Sequence, residues 1–319
     1  MPDIQESEEA DMLQIEDLSV DFPVKGGRIR PVDGVHMDVQ TGERHVIVGE
    51  TGSGKSVLLT AILGLAGGEV RGRIRWNGRE LVGLSEREFA RLRGCEIAYI
   101  PQGNGSGMNP LMRNGDQIGE PLRVHQGMGR REAFRRAVEA LRRLDFSDPG
   151  RWARLYPHNL SGGMRQRALV AMGTIAGGRL LLADEPTKGL DVARREEVEA
   201  LFTQLKDVTL LCVSHDLRFA RRIADSVSVM YAGQIVETCS CKAFFENPLH
   251  PYSRMLVDSM PENGFRFAEG FAPSHHDYGR LGCRFAGRCP HARERCSEQP
   301  PMLRLPERQV QCWRYADHA

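Results

Sequence analysis

Residues 49–56 read GETGSGKS, set between a short apolar run, His45 to Val48, and a longer one, Val57 to Ala66. A strand that enters such a loop and leaves it as a helix forms a nest. The glycines let backbone N–H groups converge at a helix N-terminus, where they attract anions. Glycine, four residues, then Gly-Lys-Ser is the pattern of a phosphate-binding loop. In that reading Lys55 neutralises β- and γ-phosphate charge and Ser56 can ligate Mg²⁺, while Gly49, Glu50, Thr51, Gly52, Ser53 and Gly54 build the cradle. A glycine-rich turn formed by chance needs neither the strand before it nor the helix after it.

Leu180 to Pro186 reads LLLADEP, an apolar strand ending in two acids. A carboxylate leaving a buried strand beside a phosphate loop can hold the Mg²⁺ hydration shell, which gives Asp184 its role. The next one, Glu185, can orient and polarise an attacking water. Further strands are expected at Val208 to Val213 and Ser226 to Met230, with enough chain between them for crossover helices, the βαβ pattern of a parallel sheet wrapped by helices. Met12 to Val24 and Arg73 to Arg79 read as an antiparallel β layer, the second ending in an Asn-Gly turn. Ser85 with Glu88 can form a capping box ahead of a short helix, followed by a strand at Glu96 to Ile100. Phe134, Ala137, Val138, Leu141 and Leu144 recur at helical spacing opposite an arginine-rich face read as solvated. A hairpin turning at Ala232 and Gly233 closes the catalytic domain.

The 319 residues are long enough for one sizeable domain and an appendage, and a net charge of +1 supplies no field that would favour nucleic acid. The run Val57 to Ala66 is far shorter than the roughly 20 apolar residues of a membrane-spanning helix. The acidic start, MPDIQESEEADM, lacks a signal-peptide core, so a soluble cytoplasmic protein is expected. Four of the eight cysteines, Cys283, Cys289, Cys296 and Cys312, cluster near the C-terminus. In a reducing compartment that clustering points to metal ligation before disulfides.

Three features narrow the class. Leu160 to Arg167 reads LSGGMRQR, with Ser161, Gly162 and Gly163 able to offer donors to phosphate at a helix start. Gln102 follows the strand CEIAYIP, and His215 ends another in VSHD. Gly189-Leu190-Asp191 follows the paired acids, and Phe22 closes the first strand. In this order the motifs resemble those of the ABC ATPases over roughly residues 12 to 260: signature, Q-loop glutamine, switch histidine, D-loop and adenine-stacking aromatic. The resemblance implies an ABC-type nucleotide-binding domain at 12–261 with a helical subdomain at about 103–170, after a flexible N-terminus at 1–11. It implies that Glu185 is the general base or water orienter, that His215 contacts the γ-phosphate, that Gln102 senses Mg²⁺, and that Asp191 lies at the contact between paired subunits. Because the phosphate loop of one subunit and the signature of another sandwich each ATP in this family, it also implies a second ATPase subunit, a heterodimer before a homodimer.

The tail sharpens the branch. NPLHPYSRMLVDSMP at Asn247 to Pro261 and GCRFAGRCPHARERC with VQC at Leu281 to Cys312 resemble the C-terminal extension of ATPases serving dipeptide, oligopeptide and nickel importers. Beyond Pro248 helical periodicity fades, and residues 262–319 are read as a separate, small, irregular Cys-rich extension. The cysteine gaps of five, six and fifteen residues lack the two-residue knuckle of most zinc sites. Related ATPases hold a [4Fe-4S] cluster there, which is the favoured reading, with zinc and free thiols open. Cys95 and Cys212 read as inert core residues. Asn159, and GNGSGMNP after Gln102, depart from the peptide-importer pattern, so nickel or a metal chelate stays open as cargo. The resemblance implies two permease subunits, an extracytoplasmic solute-binding protein reached indirectly, no nucleic acid, and a location on the cytoplasmic face of the inner membrane. An accessory ABC ATPase of a soluble enzyme complex, of carbon–phosphorus lyase type, is the reading from another class.

Overall fold

The computed structural model describes residues 12–102, 107–205, 208–264, 270–278 and 282–318. The N-terminal half runs β1 (Met12–Val24), β2 (Gly27–Gln40), β3 (Arg44–Val48), α1 (Lys55–Ile62), β4 (Glu69–Trp76), β5 (Arg79–Glu80), α2 (Glu86–Leu92) and β6 (Ile97–Ile100). Five helices follow: α3 (Asn114–Ile118), α4 (Glu120–Gln126), α5 (Arg130–Arg143), α6 (Pro149–Arg154) and α7 (Gly162–Thr174). The chain then alternates β7 (Leu180–Asp184), α8 (Val192–Gln204), β8 (Thr209–Ser214), α9 (Leu217–Ile223) and β9 (Ser226–Tyr231). It ends with β10 (Gln234–Ser240), α10 (Cys241–Glu246), α11 (Pro251–Asp258), β11 (Leu303–Leu305) and β12 (Arg308–Val310).

Two sheets carry the fold. One is antiparallel, in the order β2-β1-β4-β5; the other has eight strands in the order β11-β12-β10-β9-β3-β8-β7-β6. Neighbours among β9, β3, β8, β7 and β6 are parallel. Their side chains alternate between two cores, as the period of two requires. Ile47, Leu180, Leu182, Leu211 and Val213 face α1 and the antiparallel sheet. Val46, Val48, Leu181, Ala183, Leu210 and Cys212 face the other way, toward the large helices. A sheet buried on both faces explains why these strands read as unbroken apolar runs.

Most expected elements are found. Ser85 and Glu88 form the reciprocal capping box at α2. In α5 the fully buried residues are Ala133, Ala137 and Leu141, with Phe134, Val138 and Leu144 packed beside the core. Arginines of its outer face pair with Glu132 and Glu139, so the face is solvated and ion-paired.

Three elements lie outside those read from the sequence. β2 is a fourteen-residue strand despite Pro31 and Gly34. It lies at the edge of its sheet, where a missing N–H breaks no ladder. α11 forms where helical periodicity fades in the sequence, because Pro251 sits in its first turn and His250 caps it, its Nδ1 accepting from Tyr252 N–H. The tail does not stand apart: β12 pairs with β10 through Glu237, Thr238 and Cys239, extending the main sheet and covering its edge.

Candidate active site

The loop between β3 and α1 is shaped by contacts only glycine allows. A Cβ on Gly49 would lie 2.2 Å from the Met230 carbonyl oxygen, and one on Gly54 would lie 2.0 Å from that of Pro31. Gly54 also sits at φ +106°, in the left-handed region. It occupies the N-cap of α1, and no side chain caps that end, so the helix presents its first backbone N–H groups toward the loop.

Lys55 is 5% exposed. Its Nζ donates to the carbonyls of Gly49 (2.8 Å) and Glu50 (2.9 Å) and lies 3.4 Å from Ser53 Oγ. Burial lowers its pKa, and the charges of Glu185, Asp184 and Glu50 oppose that shift. A buried ammonium surrounded by acceptors is the cation a phosphate chain would meet at the centre of the nest.

Parallel pairing sets β3, β8 and β7 side by side, so the residues that follow them share one sheet end, where ligands bind in open α/β sheets. Asp184 Oδ1 accepts from Ser56 Oγ at 3.0 Å and Oδ2 from the Tyr99 hydroxyl at 3.4 Å. Burial pushes the Asp184 carboxyl up, with the charge of Glu185 adding to it. The Tyr99 hydroxyl is pushed up to about 12 by burial and by Asp184. Glu185 adopts φ +48° just past β7, while its N–H still donates to Val213 at 2.9 Å. Its Oε2 accepts from the His215 backbone N–H at 3.2 Å and lies 2.5 Å from His215 Nδ1. The site thus holds a cation at the phosphate loop, a hydroxyl–carboxylate pair suited to Mg²⁺, and a carboxylate oriented by a histidine.

The fold brings Lys55, Ser56, Asp184, Glu185 and His215 to one sheet end. Ser161 caps α7 by accepting from Met164 N–H at 3.2 Å, with Gly162 and Gly163 buried behind it. Asp191 is exposed ahead of α8. Gln102 is exposed after β6, and residues 103–106 of the atypical segment that follows it lie outside the described residues. Phe22 is half-buried against Gly68, packed on the core beneath the antiparallel sheet.

Two partners of the loop were not foreseen. The Glu50 carboxylate is gripped by Arg288, and the Tyr252 hydroxyl accepts from Glu50 N–H at 2.9 Å. Both residues lie in the tail motifs that served only to mark the branch. Their signal, an arginine and a tyrosine in otherwise irregular sequence, has no local meaning.

The four tail cysteines line one small enclosure with His250, His291, Arg293 and Arg314. Burial pushes the Cys283 thiol up to about 11, with the neighbouring Cys296, Cys312 and Cys289 adding to the shift. Cys289 and Cys312 are raised for the same leading reason. By residue type alone, four thiols are soft donors. Among the described residues no group of three or more His, Cys, Asp or Glu is drawn together closely enough to hold a metal ion. Cys212 is fully buried in β8, as expected, and Cys95 is half-buried.

Known proteins resemble this chain in sequence and in fold. Residues 32–188 match the ABC transporter family model, and residues 236–296 match that of the oligopeptide/dipeptide transporter C-terminal region. The chain is 37% identical over 300 residues to the oligopeptide transport ATP-binding protein OppD of Salmonella typhimurium, covering 91% of this chain and 90% of that protein. It is 36% identical over 325 residues to the dipeptide transport ATP-binding protein DppD of Bacillus subtilis, covering 97% of each. The dimeric ATP-binding cassette MJ0796, solved in a post-hydrolysis state bound to ADP and Pi, is similar with a TM-score of 0.65 at 24% identity. That match covers 72% of this chain and 98% of the cassette, and the likeness is one of fold. No helix among the described residues is long and apolar enough to cross a membrane.

Proposed function

This chain belongs to the ABC transporter family, in its oligopeptide/dipeptide branch of ATP-binding subunits, and we propose on that premise that it hydrolyses ATP to energise uptake of di- and oligopeptides through a membrane permease. The observation that carries the reading is the convergence of Lys55, the Ser56–Asp184 pair and the Glu185–His215 pair at one sheet end. The backbone of residues 49–54 and Lys55 bind the phosphates of ATP. Ser56 and Asp184 would hold Mg²⁺, which supplies charge neutralisation at the β- and γ-phosphates. Glu185, oriented by His215, draws a proton from the attacking water, and Gln102 completes the Mg²⁺ side of the site.

The signature Ser161 to Gly163 stands on α7, in a different layer from the loop. It serves the nucleotide of a second, related ATPase subunit, with Asp191 at the contact between them and Phe22 against adenine. Residues 12–261 work as the nucleotide-binding domain and 262–319 as its extension. The subunit sits on the cytoplasmic face of the membrane, held there by two permease subunits.

Cys283, Cys289, Cys296 and Cys312 would hold a [4Fe-4S] cluster, which when bound would tie the separate turns of the tail to one another. Equimolar zinc or four free thiols, found by metal and acid-labile sulfide assay on anaerobically purified protein, would sink that assignment. The cargo is tested with the reconstituted transporter. Peptide-loaded solute receptor should stimulate ATPase activity, and stimulation by nickel-loaded receptor alone would overturn the peptide reading. Recovery of the chain in a soluble enzyme complex without permeases would overturn the importer itself.

A further inference from the structure

The segment Cys283 to Cys289, CRFAGRC, has an arginine beside each terminal cysteine, and both arginines reach the supports of the nucleotide loop. Arg288 places a two-pronged fork on Glu50, with Nη1 to Oε2 and Nη2 to Oε1 both at 3.0 Å. Its guanidinium also lies over the rings of Tyr231 and Phe285 and is 9% exposed. Glu50 is held from the backbone side as well, since its N–H donates to the Tyr252 hydroxyl and its carbonyl accepts from Lys55 Nζ. Tyr252 packs in turn on Tyr231 and Phe285.

Arg284 grips the other flank. Its Nη1 donates to the Ala232 carbonyl at 2.6 Å and its Nη2 to the Asp33 carboxylate. The next residue, Gly233, donates its N–H to the Ser53 carbonyl inside the loop. The tail therefore touches the loop at its second residue, Glu50, and supports it at its fifth, Ser53.

We propose that Arg288 is a positioning residue for ATP, which presets the phosphate loop through Glu50 and so makes nucleotide affinity depend on the seating of the C-terminal extension. A loop with three glycines in eight residues has much freedom to lose when its N–H groups converge on phosphate. A fork that fixes Glu50 beforehand removes part of that ordering cost from the binding step. The gain is the same for bound ATP and for the transition state, so losing it raises KM and leaves kcat.

The inference rests on residues 49–56 being the nucleotide site, and the experiment separates the two. In the full chain, equilibrium binding of a fluorescent ATP analogue is measured for Arg288→Ala, Glu50→Gln, the double variant, Arg288→Lys and Lys55→Ala; KM and kcat are measured in the assembled transporter. Arg288→Ala should weaken binding about tenfold and raise KM in proportion with kcat held. The double variant should be no worse than the weaker single one, and Arg288→Lys should recover part of the loss with one donor in place of a fork. Wild-type affinity in Arg288→Ala with only a lower Tm, or losses that add in the double variant, would show a mere brace and overturn the inference. If Arg288→Ala does not fold, Arg288→Lys, which keeps the charge and loses the fork, decides by the same affinity and KM criterion. If Lys55→Ala binds nucleotide normally, the premise fails and the inference with it.

Discussion

Replacing Glu185 by glutamine tests the chemistry at its narrowest point. The amide is nearly isosteric, and its oxygen can still accept from the His215 backbone N–H now bonded to Oε2 at 3.2 Å. It loses the charge-assisted contact with His215 Nδ1, whose half-exposed ring limits the stability cost to about 1 kcal/mol. What the amide cannot do is take a proton. Removing a positioned general base slows turnover by roughly 10²- to 10⁴-fold. At 1.36 kcal/mol per decade that is a barrier higher by about 2.7 to 5.5 kcal/mol. Binding should move the other way. Glu185 is one of three carboxylates whose charge Lys55 feels, so removing it relieves repulsion toward the ATP phosphates. The Glu185→Gln chain should therefore bind Mg²⁺-ATP at least as tightly as wild type while phosphate release by the assembled transporter nearly stops. Turnover within about threefold of wild type, with binding intact, would refute Glu185 as the base.

Asp184→Asn separates stability from function. Burial raises the Asp184 pKa, so the folded chain holds that proton more tightly than the unfolded one. The associated stability is present in full below the ordinary aspartate value of 3.8 and is lost as pH rises through the raised value, leaving the ionised carboxylate a cost at neutral pH. Without Mg²⁺, Asp184→Asn should raise Tm at pH 7, by an amount that shrinks on acidification, and should lose Mg²⁺-dependent turnover; a lower Tm at pH 7 would contradict the reasoning. Gly54→Ala forces a Cβ into the left-handed region, at about 1–2 kcal/mol, before its 2.0 Å clash with Pro31 is counted. It should abolish nucleotide binding, whereas Gly52→Ala at φ +84°, with nothing within 4 Å of its Cβ, should show the conformational cost alone in a thermal melt.

The sequence alone was decisive wherever the physics is local. GETGSGKS between a strand and a helix, LLLADEP ending in two acids, the Ser85–Glu88 capping box and the turn at Ala232–Gly233 each carry their meaning within about ten residues, and all are found where they were read. Local signals failed where tertiary position overrides them. No strand was read over residues 27–40, where Pro31 and Gly34 interrupt the pattern, yet β2 forms there as an edge strand. The tail reads as irregular, yet β12 completes the main sheet because β10 would otherwise present an open edge. The site shows the same division. Asp184 and Glu185 announce themselves as a pair, but only the parallel order β3-β8-β7 sets Asp184 against Ser56, 128 residues earlier, and Glu185 against His215. The grip of Tyr252 and Arg288 on Glu50 spans 202 and 238 residues. No periodicity or spacing encodes contacts that long, because they arise when independently folded segments are packed onto one sheet.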